Sequence, residues 1–183
     1  MTHNIGKRNI LIVIDMQHDF VDGSLGTPEA QAIVPKVDNL IKSGNFDDVY
    51  YTFDTHYNNY YETLEGQKLP VEHCQFRTQG WSLATKNFPV DHDHAIEKET
   101  FGFTDWEKVL DLNFFDEETD INSITIVGLC TDICVISNAL ILRAILPNTR
   151  IVCDASRCAG TTPEAHKAAL TVMKSCQIDV INE

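Results

Sequence analysis

The amino-acid sequence predicts an α/β protein with a mainly parallel, six-stranded sheet in a three-layer, doubly wound arrangement. Two observations predict this fold. Continuous β-branched runs such as residues 9–14, typical of strands buried on both faces, alternate along the chain with segments of helical periodicity. Several runs also end in a charged residue, as at Asp15 and Asp54, at the edge where sheets of this kind bind ligands. The length of 183 residues suits a single domain spanning 1–183.

Each predicted strand is a short apolar run bounded by turn residues or charges. The six strands are predicted over residues 9–14, 49–53, 95–98, 124–127, 150–154 and 178–181. The helices are predicted from Pro35 to Gly44, over 81–88, after a capping box at 104–107, from 135 to a stop at Pro147, and from Pro163 to about Ser175.

Two segments lack sustained periodicity and are predicted to be loops. Residues 16–23 are polar and end in glycine, and residues 55–94 form a much longer stretch without a repeating pattern. A loop of that length inside a compact domain is usually functional. The Asp-His-Asp-His sequence at 91–94 is interpreted as a polar loop rather than a metal cluster.

Composition excludes several classes of partner. The formal net charge of −13 argues against nucleic acid or an anionic membrane surface as a partner, since either needs a basic face. No apolar stretch is long enough for a membrane span, and none at the N-terminus resembles a secretory leader. Six cysteines without a C-x-x-C pair favour reduced thiols, so a cytoplasmic location is expected.

Asp15, Lys98 and Cys134 form a chemically complete set at the predicted strand ends. Cys134 lies near the start of a helix, a setting that lowers a thiol pKa. A carboxylate can take the thiol proton, and an ammonium favours the thiolate. Backbone N–H groups of Cys130 and Cys134 could bind an oxyanion on the substrate. Taken separately, each of these residues is more often a salt-bridge partner or a capped strand end.

Asp54, His56 and His73 are candidate ligands for a divalent metal, since carboxylate and imidazole groups suit Zn²⁺, Mn²⁺ or Fe²⁺. A D-x-H pair is a weak signal, and such residues are often merely solvated in loops. Aromatic side chains could wall a pocket beside the cysteine, although aromatic residues near strand ends also serve as ordinary core. The candidates are Phe20, Trp81, Phe101 and Phe103. His166 is expected to be exposed.

These residues together resemble the isochorismatase-like cysteine hydrolase superfamily. The resemblance rests on Asp15 with Gln17 and 19–20, on Lys98, and on the G-x-x-T-D-x-C-V sequence at 128–135. It implies a Rossmann-like six-stranded sheet, with Asp15 as base, Lys98 as stabiliser of the thiolate and Cys134 as nucleophile. It also implies a cis peptide bond before Cys130. The presence of the thiol separates this chain from isochorismatase proper, whose branch of the family lacks it.

Within this superfamily the Asp54, His56 and His73 pattern resembles the metal site of nicotinamidases. There the ion holds the pyridine nitrogen of the substrate. The further histidine usual in that loop is replaced here by Tyr57 to Glu62. Glu65 or Glu62 could supply the missing ligand, and Glu65 is preferred because it lies closer to His73.

The resemblance implies a cysteine amidohydrolase that converts a small amide to an acid and ammonia, with nicotinamide, a compound of NAD salvage, as the first candidate substrate. Two alternatives stay open. One is a metal-independent amidase acting on an N-carbamoyl or ureido compound. The other is a non-enzymatic binding protein on the same fold. Self-association into a homo-oligomer is expected, because it is common in the superfamily.

Overall fold

The computed structural model describes residues 7–87, 94–112 and 120–183. All five strand pairings are parallel, and the sheet has the order β3-β2-β1-β4-β5-β6. The strands are β1 Arg8–Ile14, β2 Asp48–Asp54, β3 Ala95–Lys98, β4 Ile121–Leu129, β5 Arg150–Ala159 and β6 Asp179–Ile181. The predicted six-stranded α/β sheet is confirmed.

Helices cover both faces of this sheet and make the fold three-layered. They are α1 His18–Val21, α2 Pro28–Lys42, α3 Leu64–Lys68, α4 Trp106–Val109, α5 Ile136–Ile145 and α6 Pro163–Ser175. Alternate residues of β1 point to opposite faces. Ile10, Ile12 and Ile14 pack in the core shared with α4, α5 and α6, whereas Leu11 and Val13 pack in the core shared with α1 and α2.

The prediction that a helix begins at Pro35 is wrong, because α2 begins at Pro28 and Pro35 lies inside it. Thr27 is the N-cap, and its hydroxyl accepts a hydrogen bond from the Ala30 N–H at 3.0 Å. Ala30, Ile33 and Val37 share the buried face. Burial of this longer apolar stripe outweighs the hydrogen bond that Pro35 cannot donate.

Three local predictions in the loops and caps are also corrected. The 16–23 loop contains α1, and the 55–94 loop contains a 3₁₀ turn at Tyr60–Glu62 and α3. Residues 81–87, the described part of the helix predicted over 81–88, form turns and bends instead. The capping box at 104–107 does not form, since Asp105 is the N-cap of α4 and its side chain makes no capping bond. Residues 91–93 lie outside the described residues.

The connection from β4 to α5 carries the cysteine motif. A cis peptide bond joins Leu129 to Cys130, as the family resemblance implies, and a single π-helical turn spans Thr131–Val135. Gly128 has φ +120°, and a Cβ there would come within 2.1 Å of the Ile14 carbonyl oxygen. Only glycine therefore allows β4 to approach β1 this closely. Among the described residues no helix is long and apolar enough to cross a membrane.

We expect Gly128→Ala to lower the free energy of unfolding by about 3 kcal/mol or more, because it combines a disfavoured φ with a backbone clash. Gly44→Ala is the matched control: Gly44 also has positive φ, +65°, but a Cβ there has nothing within 4 Å. It should cost about 1 kcal/mol. Urea denaturation of both variants measures the difference, and equal losses would contradict the close approach of the two strands.

Candidate active site

Three strand ends bring Asp15, Lys98 and Cys134 together. Asp15 follows β1, Lys98 is the last residue of β3, and Cys134 lies in the π-helical turn after β4. All three are buried. The Lys98 Nζ lies 2.6 Å from Asp15 Oδ2 and 3.7 Å from Cys134 Sγ. The ammonium group thus bridges the carboxylate and the thiol.

A second residue fixes the other oxygen of the Asp15 carboxylate. The Thr52 hydroxyl, in β2, donates to Asp15 Oδ1 at 2.6 Å and accepts the Asp15 N–H at 3.1 Å. Oδ1 is therefore held by Thr52 and Oδ2 by Lys98, which leaves the carboxylate little freedom to rotate. Thr52 was not among the site residues predicted from the sequence. A polar residue in an otherwise apolar strand, next to the strand that Asp15 follows, could have indicated its role.

Burial dominates the ionisation of the thiol. It raises the pKa of Cys134 well above its usual range, the negative charge of Asp15 raises it further, and the Lys98 ammonium lowers it. The prediction of a lowered thiol pKa is therefore wrong, because desolvation outweighs the helix dipole. The thiol is protonated at rest, and a nucleophilic role requires a base within reach.

Burial also acts on the two charged partners of the thiol. It lowers the pKa of Lys98, but the charges of Asp15 and Asp54 outweigh it and raise that pKa above its usual range. Burial raises the pKa of Asp15, and the Lys98 ammonium opposes this shift. A carboxylate whose pKa is raised in this way is a better proton acceptor than an exposed one.

A group of four possible metal ligands adjoins this set. Asp54 ends β2, His56 follows it, Glu65 lies on α3, and His73 lies beyond α3. Their ligand atoms all lie within 4.8 Å of one another. Glu62, the alternative to Glu65, is not part of this group.

The spacing of these atoms fits one ion. The Nε2 atom of His56 lies 3.0 Å from Asp54 Oδ2 and 3.6 Å from Glu65 Oε1, and the corresponding distances from His73 Nε2 are 3.4 and 3.5 Å. Tetrahedral ligands at about 2.0–2.1 Å from a zinc ion lie about 3.3 Å apart. The four residues can therefore hold a divalent metal ion.

The histidines are oriented for such a role. The Nδ1 of His73 lies 2.8 Å from the Val71 carbonyl oxygen, which fixes a proton on Nδ1 and leaves Nε2 facing Asp54. The buried Nε2 of His56 has no hydrogen-bond partner among the described residues. Burial raises the pKa of Asp54, but the adjacent imidazoles of His56 and His73 and the charge of Lys98 bring it below its usual range.

One cavity of about 820 Å³ joins the thiol to the metal-ligand group, since Cys134, Cys130 and all four possible ligands line it. Of the predicted aromatic walls, Phe20 and Phe101 line this cavity. Trp81 lies outside the wall that the described residues form, because its ring stacks on Phe53 at 4.9 Å and its Nε1 donates to Thr55. Phe103 packs against Trp106 instead, with ring centroids 5.3 Å apart.

The cysteine turn is tied to the loop between β5 and α6. The Asp132 carboxylate accepts hydrogen bonds from the Thr161 N–H at 2.8 Å and the Thr161 hydroxyl at 2.6 Å. His166, predicted to be exposed, is half-buried, and its Nδ1 lies 2.8 Å from the Thr131 hydroxyl. These contacts give the first two residues of the T-D-x-C sequence a supporting role.

Comparison with known proteins identifies the family of the chain. A family model described as Isochorismatase domain matches residues 9–183. A nicotinamidase from Saccharomyces cerevisiae is 25% identical, covering 94% of this chain and 99% of its own length. The chain is also similar to a solved pyrazinamidase from Pyrococcus horikoshii in complex with zinc, with a TM-score of 0.75, 27% identity, and 96% and 99% of the two chains covered. A solved nicotinamidase from Bacillus subtilis gives a TM-score of 0.72 and 26% identity over 95% and 99% of the two chains.

Opposite shifts in thiol reactivity are expected from the two charged neighbours of Cys134. Asp15→Asn removes a negative charge that raises the pKa of Cys134, so the pH midpoint of its alkylation should fall; Lys98→Met should raise that midpoint. Iodoacetamide labelling across pH, with the Cys134 peptide quantified by mass spectrometry, measures both. Cys130→Ser and Cys176→Ser in the background remove the two half-buried thiols. Shifts in the same direction would contradict the charge arrangement.

Proposed function

The chain belongs to the isochorismatase family, and we propose that it is a cysteine amidohydrolase that hydrolyses nicotinamide to nicotinate and ammonia. The observation that carries the proposal is the Lys98 ammonium bridging Asp15 and Cys134, whose thiol lines the cavity that also contains the metal-ligand group. The relatives named nicotinamidase and pyrazinamidase support the hydrolysis of a small aromatic amide. The nucleophile and a site for the ring then share one cavity, and the proposed base lies beside the nucleophile.

The first half of the reaction forms a thioester. Asp15 takes the proton of the Cys134 thiol as the sulfur attacks the amide carbonyl carbon. The negative charge that develops on the carbonyl oxygen is met by the backbone N–H groups of Cys130 and Cys134. The C–N bond then breaks, and the proton held by Asp15 leaves with the nitrogen as ammonia. The acyl group remains bonded to the sulfur.

The second half returns the enzyme to its starting state. Asp15, again a carboxylate, takes a proton from a water molecule, and the oxygen of that water attacks the thioester carbonyl carbon. The C–S bond breaks, the carboxylic acid is released, and the sulfur recovers its proton. Lys98 stays protonated throughout and stabilises each anionic state of its two neighbours.

Asp54, His56, Glu65 and His73 would hold the metal ion, for which we propose zinc. When bound, the ion supplies a Lewis acid for the ring nitrogen of the substrate. The chain's own residues set where the ring lies, because the ligands and the thiol line the same cavity and Lys98 lies 3.6 Å from Asp54 Oδ1. Phe20 packs against His73 at 5.4 Å and offers the ring an apolar wall.

Cys134→Ala should lower the rate of ammonia release from nicotinamide by at least about 10⁴-fold, because removal of a catalytic nucleophile has effects of this size or larger. Cys130→Ala is the matched control, since Cys130 is proposed to act through its backbone and should keep most of the activity. A coupled ammonia assay measures both variants. Undiminished turnover in Cys134→Ala would exclude the thioester mechanism.

Removal of the metal ion should abolish turnover of nicotinamide, and added zinc should restore it. Glu65→Gln should weaken metal binding by at least about 10-fold, as even residues that only support ligands have effects of 10–100-fold. Glu62→Gln, an exposed neighbour outside the group, should leave binding unchanged. Metal analysis after dialysis and ammonia release after chelation test this. Turnover of N-carbamoyl compounds that survives chelation would favour the metal-independent amidase instead.

A further inference from the structure

Gln17 is a fully buried amide with a complete set of hydrogen bonds to backbone groups. Its Oε1 accepts the Asp54 N–H at 2.8 Å. Its Nε2 donates to the Asp54 carbonyl at 2.9 Å and to the Trp81 carbonyl at 2.9 Å. The side chain thus holds both backbone polar groups of a proposed metal ligand, and Gln17 is absent from the described cavity wall.

These side-chain hydrogen bonds replace the backbone hydrogen bonds that β1 would make to Asp54 if the strand continued. The last β1–β2 backbone pair is Val13 with Tyr51, since β1 ends at Ile14 and the chain turns at Asp15. On its other side Asp54 still pairs with Lys98 of β3. A primary amide has the donor and acceptor of a peptide group, so the Gln17 side chain extends the sheet to Asp54 where the β1 backbone has ended.

Asp19, two residues further on, holds the other ligand-bearing segment. Its Oδ2 accepts the Cys74 N–H at 2.7 Å, directly after His73. The Cys74 carbonyl in turn accepts the His56 N–H at 3.0 Å. A Cβ at Gly80 would approach Asp19 Oδ2 to 2.0 Å, so the absence of a side chain at Gly80 makes room for the carboxylate.

We propose that Gln17 and Asp19 are positioning residues for the metal ion, and that the Asp15–Asp19 segment sets the distance between the thiol and the metal-ligand group. Asp15 of this segment contacts Lys98 beside the thiol, and Gln17 fixes Asp54. Asp19 fixes the backbone of Cys74, which follows His73 and accepts a hydrogen bond from His56. The inference rests on the proposed function only in placing a metal ion at the four ligands. A substrate that touches both the thiol and the metal ion depends on the distance that this short segment sets.

The test is the zinc affinity of Gln17→Met, measured by competition with a chromophoric chelator in the absence of substrate. Methionine matches the length of glutamine and removes all three hydrogen bonds without adding charge. We expect binding to weaken by about 10–100-fold, the usual effect of losing a group that orients a ligand. The visible spectrum of the cobalt-substituted protein should also change, because the ligand geometry loosens.

Gln67→Met is the matched control. Gln67 lies on α3, the helix that carries Glu65, but among the described residues its side-chain amide donates a hydrogen bond only to the Glu62 carbonyl, at 3.3 Å. Zinc affinity and the cobalt spectrum should match those of the unmodified protein. Asp19→Asn provides a second variant that acts through Cys74 and does not depend on the folding of Gln17→Met; it should also weaken zinc binding.

Unchanged zinc affinity in folded Gln17→Met and in Asp19→Asn would overturn the proposal, as would failure of the unmodified protein to bind zinc. These outcomes are distinguishable from failure of the proposed function. A protein that binds zinc with the expected dependence on Gln17 but releases no ammonia from nicotinamide would refute the substrate and leave the positioning role standing.

Discussion

The buried ion pair between Lys98 and Asp15, 2.6 Å apart, is the interaction on which the site depends. Both groups have been taken out of water, and each would be costly alone because an unpaired buried charge has lost its hydration. Lys98 ends an edge strand and Asp15 follows a central strand, so β2 lies between them and its Thr52 completes the carboxylate's contacts. The pair therefore requires three strands to end at the same level.

The position of Lys98 also connects the two halves of the cavity. Its Nζ lies 3.7 Å from Cys134 Sγ and 3.6 Å from Asp54 Oδ1. One cation thus faces a thiol, the carboxylate proposed as its base, and the carboxylate of a possible metal ligand. Because charges separated by so little protein are weakly screened, a change at any one of these groups alters the proton affinity of the others.

The site residues that could be predicted from the sequence are those whose position follows from the local pattern of strands along the chain. Asp15, Asp54 and Lys98 each lie at or just past the end of a predicted strand, and parallel strands place such ends at one edge. The start of α2 was predicted wrongly, because Pro35 fits the preference for proline in a first helical turn. The helix begins instead directly after Thr27, whose hydroxyl caps it by accepting the Ala30 N–H, a contact formed only in the folded chain.

Non-local partners explain what the sequence did not reveal. Thr52 was not singled out, and the family resemblance named Gln17 without giving it a role. The importance of both comes from groups on other strands and loops, each 37 positions away. Trp81 was placed wrongly for the same reason, because pattern alone cannot show that its ring stacks on Phe53. The raised pKa of Cys134 depends on the depth of burial, which a position at a helix start does not reveal.

The topology explains why the cavity lies where it does. β1 and β4 are neighbours, but the helix after β1 packs on one face of the sheet and the helix after β4 packs on the other. The two connections diverge at the carboxyl edge and leave a crevice, the usual ligand site of doubly wound sheets. Thr27 and Ala30 on one side and Ile133 and Cys134 on the other line this opening. The divergence of the two helices creates the space for a substrate, and the close approach at Gly128 keeps Asp15 near the thiol beneath it.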